Sequence, residues 1–194
     1  DEAFGQDFEL PPDRAYCETC AGIGSIMVAW RLLLATGDIA WGDVIERTLY
    51  NVLATALSED GRAFFYANPL HQREPVEATD PEEWNPRASA SQRSAWFEVS
   101  CCPPNLSRTI AQLAAYQVAY SGDLLALIQY FHTEIKVDLE SGPVELSVRT
   151  DYPDSGSVRL EVSQAPQGGF NLELRVPAWA KGATVIRNGT AQEA

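Results

Sequence analysis

An α+β chain in two parts is the fold the sequence predicts, a helical stretch over residues 1–123 followed by an antiparallel β stretch over 124–194. Two observations carry this: apolar residues recur every three or four positions in the first part, and every second position beyond Asp123. A third is Asn188-Gly189 after Val185-Ile186, the pair that a tight hairpin turn of type I′ prefers.

Taken in order, Ile23, Met27, Trp30 and Leu34 form the stripe of a first helix, and Gly37-Asp38 supplies its stop. A second helix follows at once, with Val44 or Ile45, Leu49, Val52 or Leu53, and Ala56 or Leu57 on one side. The two would make an antiparallel helical hairpin. Phe64-Phe65-Tyr66 reads as a short extended segment leading into an Asn68-Pro69 turn. Residues 71–93 turn to Glu, Pro, Arg and Ser with scattered tryptophan, the composition of a long loop or lid. Leu106, Ile110, Leu113 and Gln117 predict a third helix over 105–120, entered through Pro103-Pro104 and closed by Gly122. Alternation of Ile135, Val137 and Leu139 with Glu134, Lys136 and Asp138 then marks strands, as do Val158, Leu160 and Val162, and Leu172, Leu174 and Val176.

Composition narrows the function classes. In 194 residues, 27 acidic against 14 basic side chains leave a formal charge of −13, which gives no electrostatic footprint for nucleic acid or anionic lipid. The longest apolar stretch, residues 23–35, is interrupted by Ser25 and Arg31 and falls short of the roughly 20 residues of a membrane span. No nucleic-acid or membrane partner is expected. The chain opens at Asp1 without methionine, and the expectation is a piece of a longer protein whose oligomeric state the sequence leaves open.

The four cysteines fall in two clusters, Tyr16-Cys17-Glu18-Thr19-Cys20 and Cys101-Cys102-Pro103-Pro104-Asn105. Three readings are open: small core residues, a metal site, or a redox or disulfide role. Adjacent Cys101 and Cys102 make a conventional disulfide a strained choice. For a metal site, an extended backbone ahead of the first helix would put Glu18 and Cys20 on one side and turn Cys17 away. An irregular turn into the two prolines would converge Cys101 and Cys102. The resulting set is three thiolates and one carboxylate, ligands that suit Zn²⁺. Unpaired thiolates also favour a reducing, cytoplasmic setting.

These clusters, together with Asp1-Glu2-Ala3-Phe4, Leu49-Tyr50-Asn51, Phe65-Tyr66-Ala67-Asn68-Pro69-Leu70 and Arg175-Val176-Pro177-Ala178-Trp179, resemble the β-L-arabinofuranosidase family of glycoside hydrolases, family 127, in order and spacing. The resemblance spans nearly the whole chain. It implies the later half of an (α/α)6 barrel, the rest supplied by the same polypeptide, followed by an antiparallel β-sandwich. It further implies a carbohydrate substrate, Zn²⁺ held by Glu18, Cys20, Cys101 and Cys102, Cys101 as nucleophile and Glu2 as general acid/base. Tyr66 would line the sugar pocket, with Glu46 a weaker candidate for a polar role nearby. The function implied is release of β-L-arabinofuranose by a retaining mechanism; a non-catalytic, zinc-stabilised carbohydrate-binding or interaction domain is the alternative. Half a barrel alone is expected to be inactive. Trp84 and Trp96, bracketing the polar loop, have the residue type that stacks on sugar faces, and Asn188-Gly189-Thr190 also fits a glycosylation acceptor.

Overall fold

A computed structural model describes residues 5–13, 15–68, 71, 84–85 and 92–193 of the chain. It is an α+β chain, helical first and stranded after. By contacts it divides into two units: Asp1–Arg31 with Val44–Ala111, and Leu32–Asp43 with Gln112–Ala194.

In the first unit, α1 (Thr19–Thr36) contributes its initial turns, and α2 (Ala40–Thr48) leads into a π-helical turn, Leu49–Leu53. The helices approach closely at Gly22, where a Cβ would lie 2.6 Å from Val52 Cγ1. The buried side of α1 is Ile23, Ile26, Ala29 and Leu33, while Met27 and Leu34 are exposed, so the stripe expected through Met27 and Leu34 is corrected. The reason is compositional: residues 26–29 and 32–35 are apolar without a break, so two registers fit the same helical period. The α1 segment, 18 residues of mean hydropathy 1.4, is long and apolar enough to cross a membrane by length and composition, a test that soluble core helices also pass. The expectation that it falls short of a span is corrected to that extent. In α2 and the turn after it, Ile45, Leu49, Leu53 and Ala56 are buried as the period predicts.

The extended segment carries β1 (Phe64–Phe65), paired antiparallel with β3 (Arg93–Ser94), and β2 (Trp84–Asn85) runs parallel to β4 (Trp96–Phe97). Most of the predicted lid over 71–93 lies outside the described residues, as do Pro69 and Leu70. The third helix, α3, is shorter and earlier than expected: Cys102–Ala111, followed by a 3-10 turn, Leu113–Tyr116. Pro103 and Pro104 occupy its first turn, where backbone N–H groups have no helical partner and their absence costs nothing. Its stripe drifts with it, leaving Ile110 exposed and Thr109 buried.

The second unit begins where the helix was expected to continue. β5 (Val118–Ser121) pairs antiparallel with β6 (Leu124–Leu127), and the Ile128 and Gln129 amides both donate to the Gln117 carbonyl. Sheet pairing therefore overrides the helical period from Val118 onward. β6 also pairs in parallel with β10 (Asn171–Leu174), a departure from an all-antiparallel part. A second sheet is antiparallel throughout: β7 (Thr133–Leu139), β8 (Gly142–Thr150) and β9 (Val158–Gln164). Side chains two apart, Leu125 and Leu127 from one sheet and Val144, Leu146 and Val148 from the other, meet in one core with Tyr130, Ile135 and Leu139. The hairpin of β11 (Thr184–Arg187) and β12 (Thr190–Glu193) turns at Asn188 and Gly189, whose φ values are 49° and 86°, the left-handed pair a type I′ turn demands.

A buried ion pair ties residues 38–43 to these strands. The Arg175 guanidinium, almost wholly buried, donates to Asp43 Oδ1 and, through Nε at 2.5 Å, to the Ile128 carbonyl. Asp43 Oδ2 accepts from the Ala178 amide at 3.2 Å, and Gln129 donates to the Gly42 carbonyl at 2.8 Å. A Cβ on Gly42 would lie 2.6 Å from Arg175 Cδ. Asp43→Ala leaves a buried guanidinium without its carboxylate and is expected to cost about 3 kcal/mol of stability; urea unfolding of the variant followed by tryptophan fluorescence checks it.

Candidate metal centre

The two cysteine clusters meet because two helices begin at the same place. The chain before α1 is extended: the Thr19 amide donates to the Tyr66 carbonyl and the Asn68 amide to the Cys17 carbonyl, both at 3.0 Å, and Glu18 bridges Ala67. The buried Thr19 hydroxyl adds a bond to the Phe65 carbonyl at 2.8 Å. Glu18 then accepts the first helical bond, from the Gly22 amide, so it stands at the N-cap of α1 and Cys20 in its first turn. The expected i, i+2 alternation does not hold through Cys20, because helix starts at Thr19. Convergence comes from the strand-to-helix step instead.

The second cluster repeats the arrangement. Cys101 accepts from the Asn105 amide and is the N-cap of α3, with Cys102 its first residue. Helix N-termini are the positive end of the backbone dipole, so both favour negative charge.

The ligand atoms of Glu18, Cys20, Cys101 and Cys102 all lie within 4.8 Å of one another. Cys20 Sγ is 3.3 Å from Cys101 Sγ and 3.6 Å from Cys102 Sγ; the latter two sulfurs are 4.0 Å apart, and Cys101 Sγ is 3.5 Å from Glu18 Oε1. All four cysteines are free. Beneath them lies an aromatic floor in which Phe97 meets Phe64 edge-on at 5.1 Å and Tyr66 at 5.9 Å. Tyr66 is buried with its hydroxyl 3.4 Å from Cys101 Sγ. Asn105 Nδ2 donates to Cys20 Sγ at 2.9 Å, a contact that sequence reasoning missed although Asn105 closes the Cys-Cys-Pro-Pro-Asn motif.

Cys17 is not among the converging ligands, and Glu46 is buried on α2 outside that group. Glu2 lies outside the described residues. Trp96 is half exposed and touches Phe64 edge-on, while the Trp84 side chain is not described.

Burial and hydrogen bonding favour the protonated forms of Cys20, Cys102 and Tyr66. Burial pushes the Cys20 thiol up to about 11, against the Asn105 amide, which pulls it down. Burial, and then Cys20, hold Cys102 well above the ordinary thiol range. The Tyr66 hydroxyl is raised far above the usual tyrosine range, first by its hydrogen bond with Cys101 and next by burial. A cation at the centre removes the conflict, since a thiolate, not a thiol, is the ligand. The residues present fit a metal ion.

Comparison with known proteins follows this geometry. Two family models match, both of glycoside hydrolase domains: "Beta-L-arabinofuranosidase, GH127 catalytic domain" over residues 1–115, and "Beta-L-arabinofuranosidase, GH127 middle domain" over residues 125–194. The chain belongs to the GH127 β-L-arabinofuranosidase family. It is 29% identical over 192 residues to a non-reducing end β-L-arabinofuranosidase of Bifidobacterium longum, covering 97% of this chain and 28% of that protein. A solved GH127 β-L-arabinofuranosidase from Geobacillus stearothermophilus T6 superposes with a TM-score of 0.81 at 38% identity, over 95% of this chain and 28% of that one. A solved GH127 β-arabinofuranosidase gives a TM-score of 0.77 at 38% identity, over 93% and 26% of the two chains. The chain thus spans about 28% of the length of the curated relative it matches.

Metal uptake has to displace protons from Cys20 and Cys102, whose raised values keep them protonated at neutral pH. Affinity is therefore expected to climb by about tenfold per pH unit for each proton displaced, measured by chelator competition between about pH 6 and about pH 8. Without metal the stability sign is opposite: the raised Cys20 value favours the fold below about pH 8.5, the unfolded value, and that contribution is lost as pH rises toward about 11. Melting curves of metal-free and metal-loaded protein are expected to diverge across that interval.

Proposed function

We propose that the protein of which this chain is part is a retaining glycoside hydrolase that releases β-L-arabinofuranose from oligosaccharides or plant glycans. Residues 1–123 would be the later half of an (α/α)6 barrel and residues 124–194 part of a β-sandwich. The family models, which meet between residues 115 and 125, support that division, and the shared core of the two three-stranded sheets supports the second part. The free thiols suit a reducing, cytoplasmic setting.

One observation carries the reading: the spacing of the four ligand atoms. Zinc–sulfur and zinc–oxygen bonds of about 2.3 and about 2.0 Å give tetrahedral edges of about 3.8 Å between sulfurs and about 3.5 Å from sulfur to oxygen. The sulfur separations of 3.3, 3.6 and 4.0 Å and the sulfur–oxygen separation of 3.5 Å straddle those edges. Glu18, Cys20, Cys101 and Cys102 would hold Zn²⁺, which when bound keeps its thiolates ionised at neutral pH and moderates their charge.

Cys101 is the proposed nucleophile. It sits at a helix N-cap, is only part-buried while Cys102 is fully buried, and touches Tyr66, the residue proposed to line the sugar pocket with Glu46 as a further polar group. Its sulfur would attack the anomeric carbon as the carbon–oxygen bond breaks and Glu2 gives its proton to the departing oxygen. Glu2 would next take a proton from water as that water's oxygen displaces the sulfur, returning Cys101 to thiolate. Two displacements at one carbon retain its configuration.

The deep burial of Cys102 against Phe64, Tyr66 and Phe97 favours the second reading, a zinc-stabilised domain without chemistry. Cys101→Ser in the full-length protein separates them. The catalytic reading expects turnover of nitrophenyl β-L-arabinofuranoside to fall by at least about three orders of magnitude in a folded protein, and a pentosyl adduct on the wild-type Cys101 peptide. Unchanged turnover would sink the nucleophile assignment. Residues 1–194 alone are expected to show no hydrolysis, because a pocket assembled from part of a barrel lacks its supporting residues; a direct assay of that fragment checks it.

A further inference from the structure

We propose that Asn105 and Arg108 form a positioning pair that holds Cys20 as a metal ligand and sets it apart from Cys101. The inference rests on the metal reading above and assigns roles to two residues outside the ligand set.

Asn105 and Arg108 are three apart on α3 and therefore neighbours on its surface. Arg108 Nη2 donates to Asn105 Oδ1, and Asn105 Nδ2 lies 2.9 Å from Cys20 Sγ. A carboxamide has one accepting and one donating end, and these are readily exchanged in isolation. Arginine removes the choice. A guanidinium has only donors, so the oxygen must face Arg108 and the NH2 group must face sulfur.

The sulfur of Cys20 is consequently met by a fixed donor. A donor aimed at sulfur matches a thiolate, whose lone pairs accept, and draws charge from it. That dampens the reactivity of Cys20 and fixes the direction of its lone pairs. Cys101 has different company, the Tyr66 hydroxyl at 3.4 Å and Glu18 Oε1 at 3.5 Å. One helix thus serves the site twice: its N-terminus supplies Cys101 and Cys102, and its next turn steadies the thiol that arrives from α1. The main-chain side of Asn105 is itself held, since its carbonyl accepts from the Thr109 hydroxyl at 2.8 Å.

The test uses the full-length protein with zinc, and with Co²⁺ as a spectroscopic substitute. Asn105→Leu is expected to weaken zinc binding by about 10- to 100-fold in chelator competition, and to move the thiolate-to-cobalt charge-transfer band to lower energy as the sulfur regains charge. Arg108→Leu, at an exposed position, should shift both in the same direction by less; Arg108→Lys, which still offers a donor to Oδ1, should restore them. A band and an affinity unchanged in Asn105→Leu would overturn the proposal. If that variant does not fold, an unchanged band in Arg108→Leu overturns it equally. Failure of the wild-type protein to take up either metal would overturn the metal reading and this inference together, an outcome distinct from a wild-type site indifferent to Asn105.

Discussion

Two helix N-termini aimed at one point are the constraint on which the site depends. α1 and α3 each bring a residue at the N-cap and another in the first turn, Glu18 with Cys20 and Cys101 with Cys102. The positive end of each helix dipole points into the region, which favours negative charge there before any side chain is considered. The chain then fills it with four groups that become anionic as ligands. Burial raises Cys20 and Cys102 and so favours their protonated forms, and the sulfurs stand as close as 3.3 Å. A cation bound there would relieve that opposition.

The rest of the first unit reads as support for that meeting. The strand-like pairing of residues 17–19 with 66–68 delivers Glu18 and Tyr66 side by side, and the Phe64, Tyr66 and Phe97 rings make a rigid floor for Cys102. Rigidity matters because ligands must keep their separations within a few tenths of an ångström to suit one ion. In the second unit the equivalent anchor is the Arg175–Asp43 pair. It draws the first turn of α2 into the β part through a buried charge pair, so the residues that open α2 belong by contact to the strands.

Local signals carried much of this in the sequence, and they failed where distant pairing decided. The strand alternation after Asp123 and the Asn188-Gly189 turn were legible because each depends on neighbours in sequence. The stripe of α1 was ambiguous because its apolar residues surround the helix, and only packing selects Ile26 and Leu33 over Met27 and Leu34. Residues 112–120 carry a helical period, yet β6, offering backbone partners to Val118–Ser121, claims the end of that stretch as a strand. At the site, residue type and clustering pointed to Glu18, Cys20, Cys101 and Cys102, but the assumed extended geometry at Cys20 was wrong. Asn105 was missed for a physical reason: an amide's use is invisible until a donor-only neighbour and a sulfur lie at its two ends.

Three thiols of the same chemistry meet here, and their surroundings make them unequal. Cys102 is sealed in the core beside aromatic rings, with no exposed surface. Cys20 accepts a hydrogen bond from the Asn105 amide at 2.9 Å. Cys101 keeps partial exposure and faces a tyrosine hydroxyl and a carboxylate. Cys20 is held by the Asn105 amide at 2.9 Å, whereas the polar contacts of Cys101 outside the sulfur cluster are 3.4 and 3.5 Å, so in the proposed reaction Cys101 would give up less than Cys20 in attacking. Position at the N-cap adds to this, since Cys101 lies at the start of α3 and not within its turns. The roles proposed for the three thiols rest on differences in burial and hydrogen bonding around each sulfur, with no difference in residue type required.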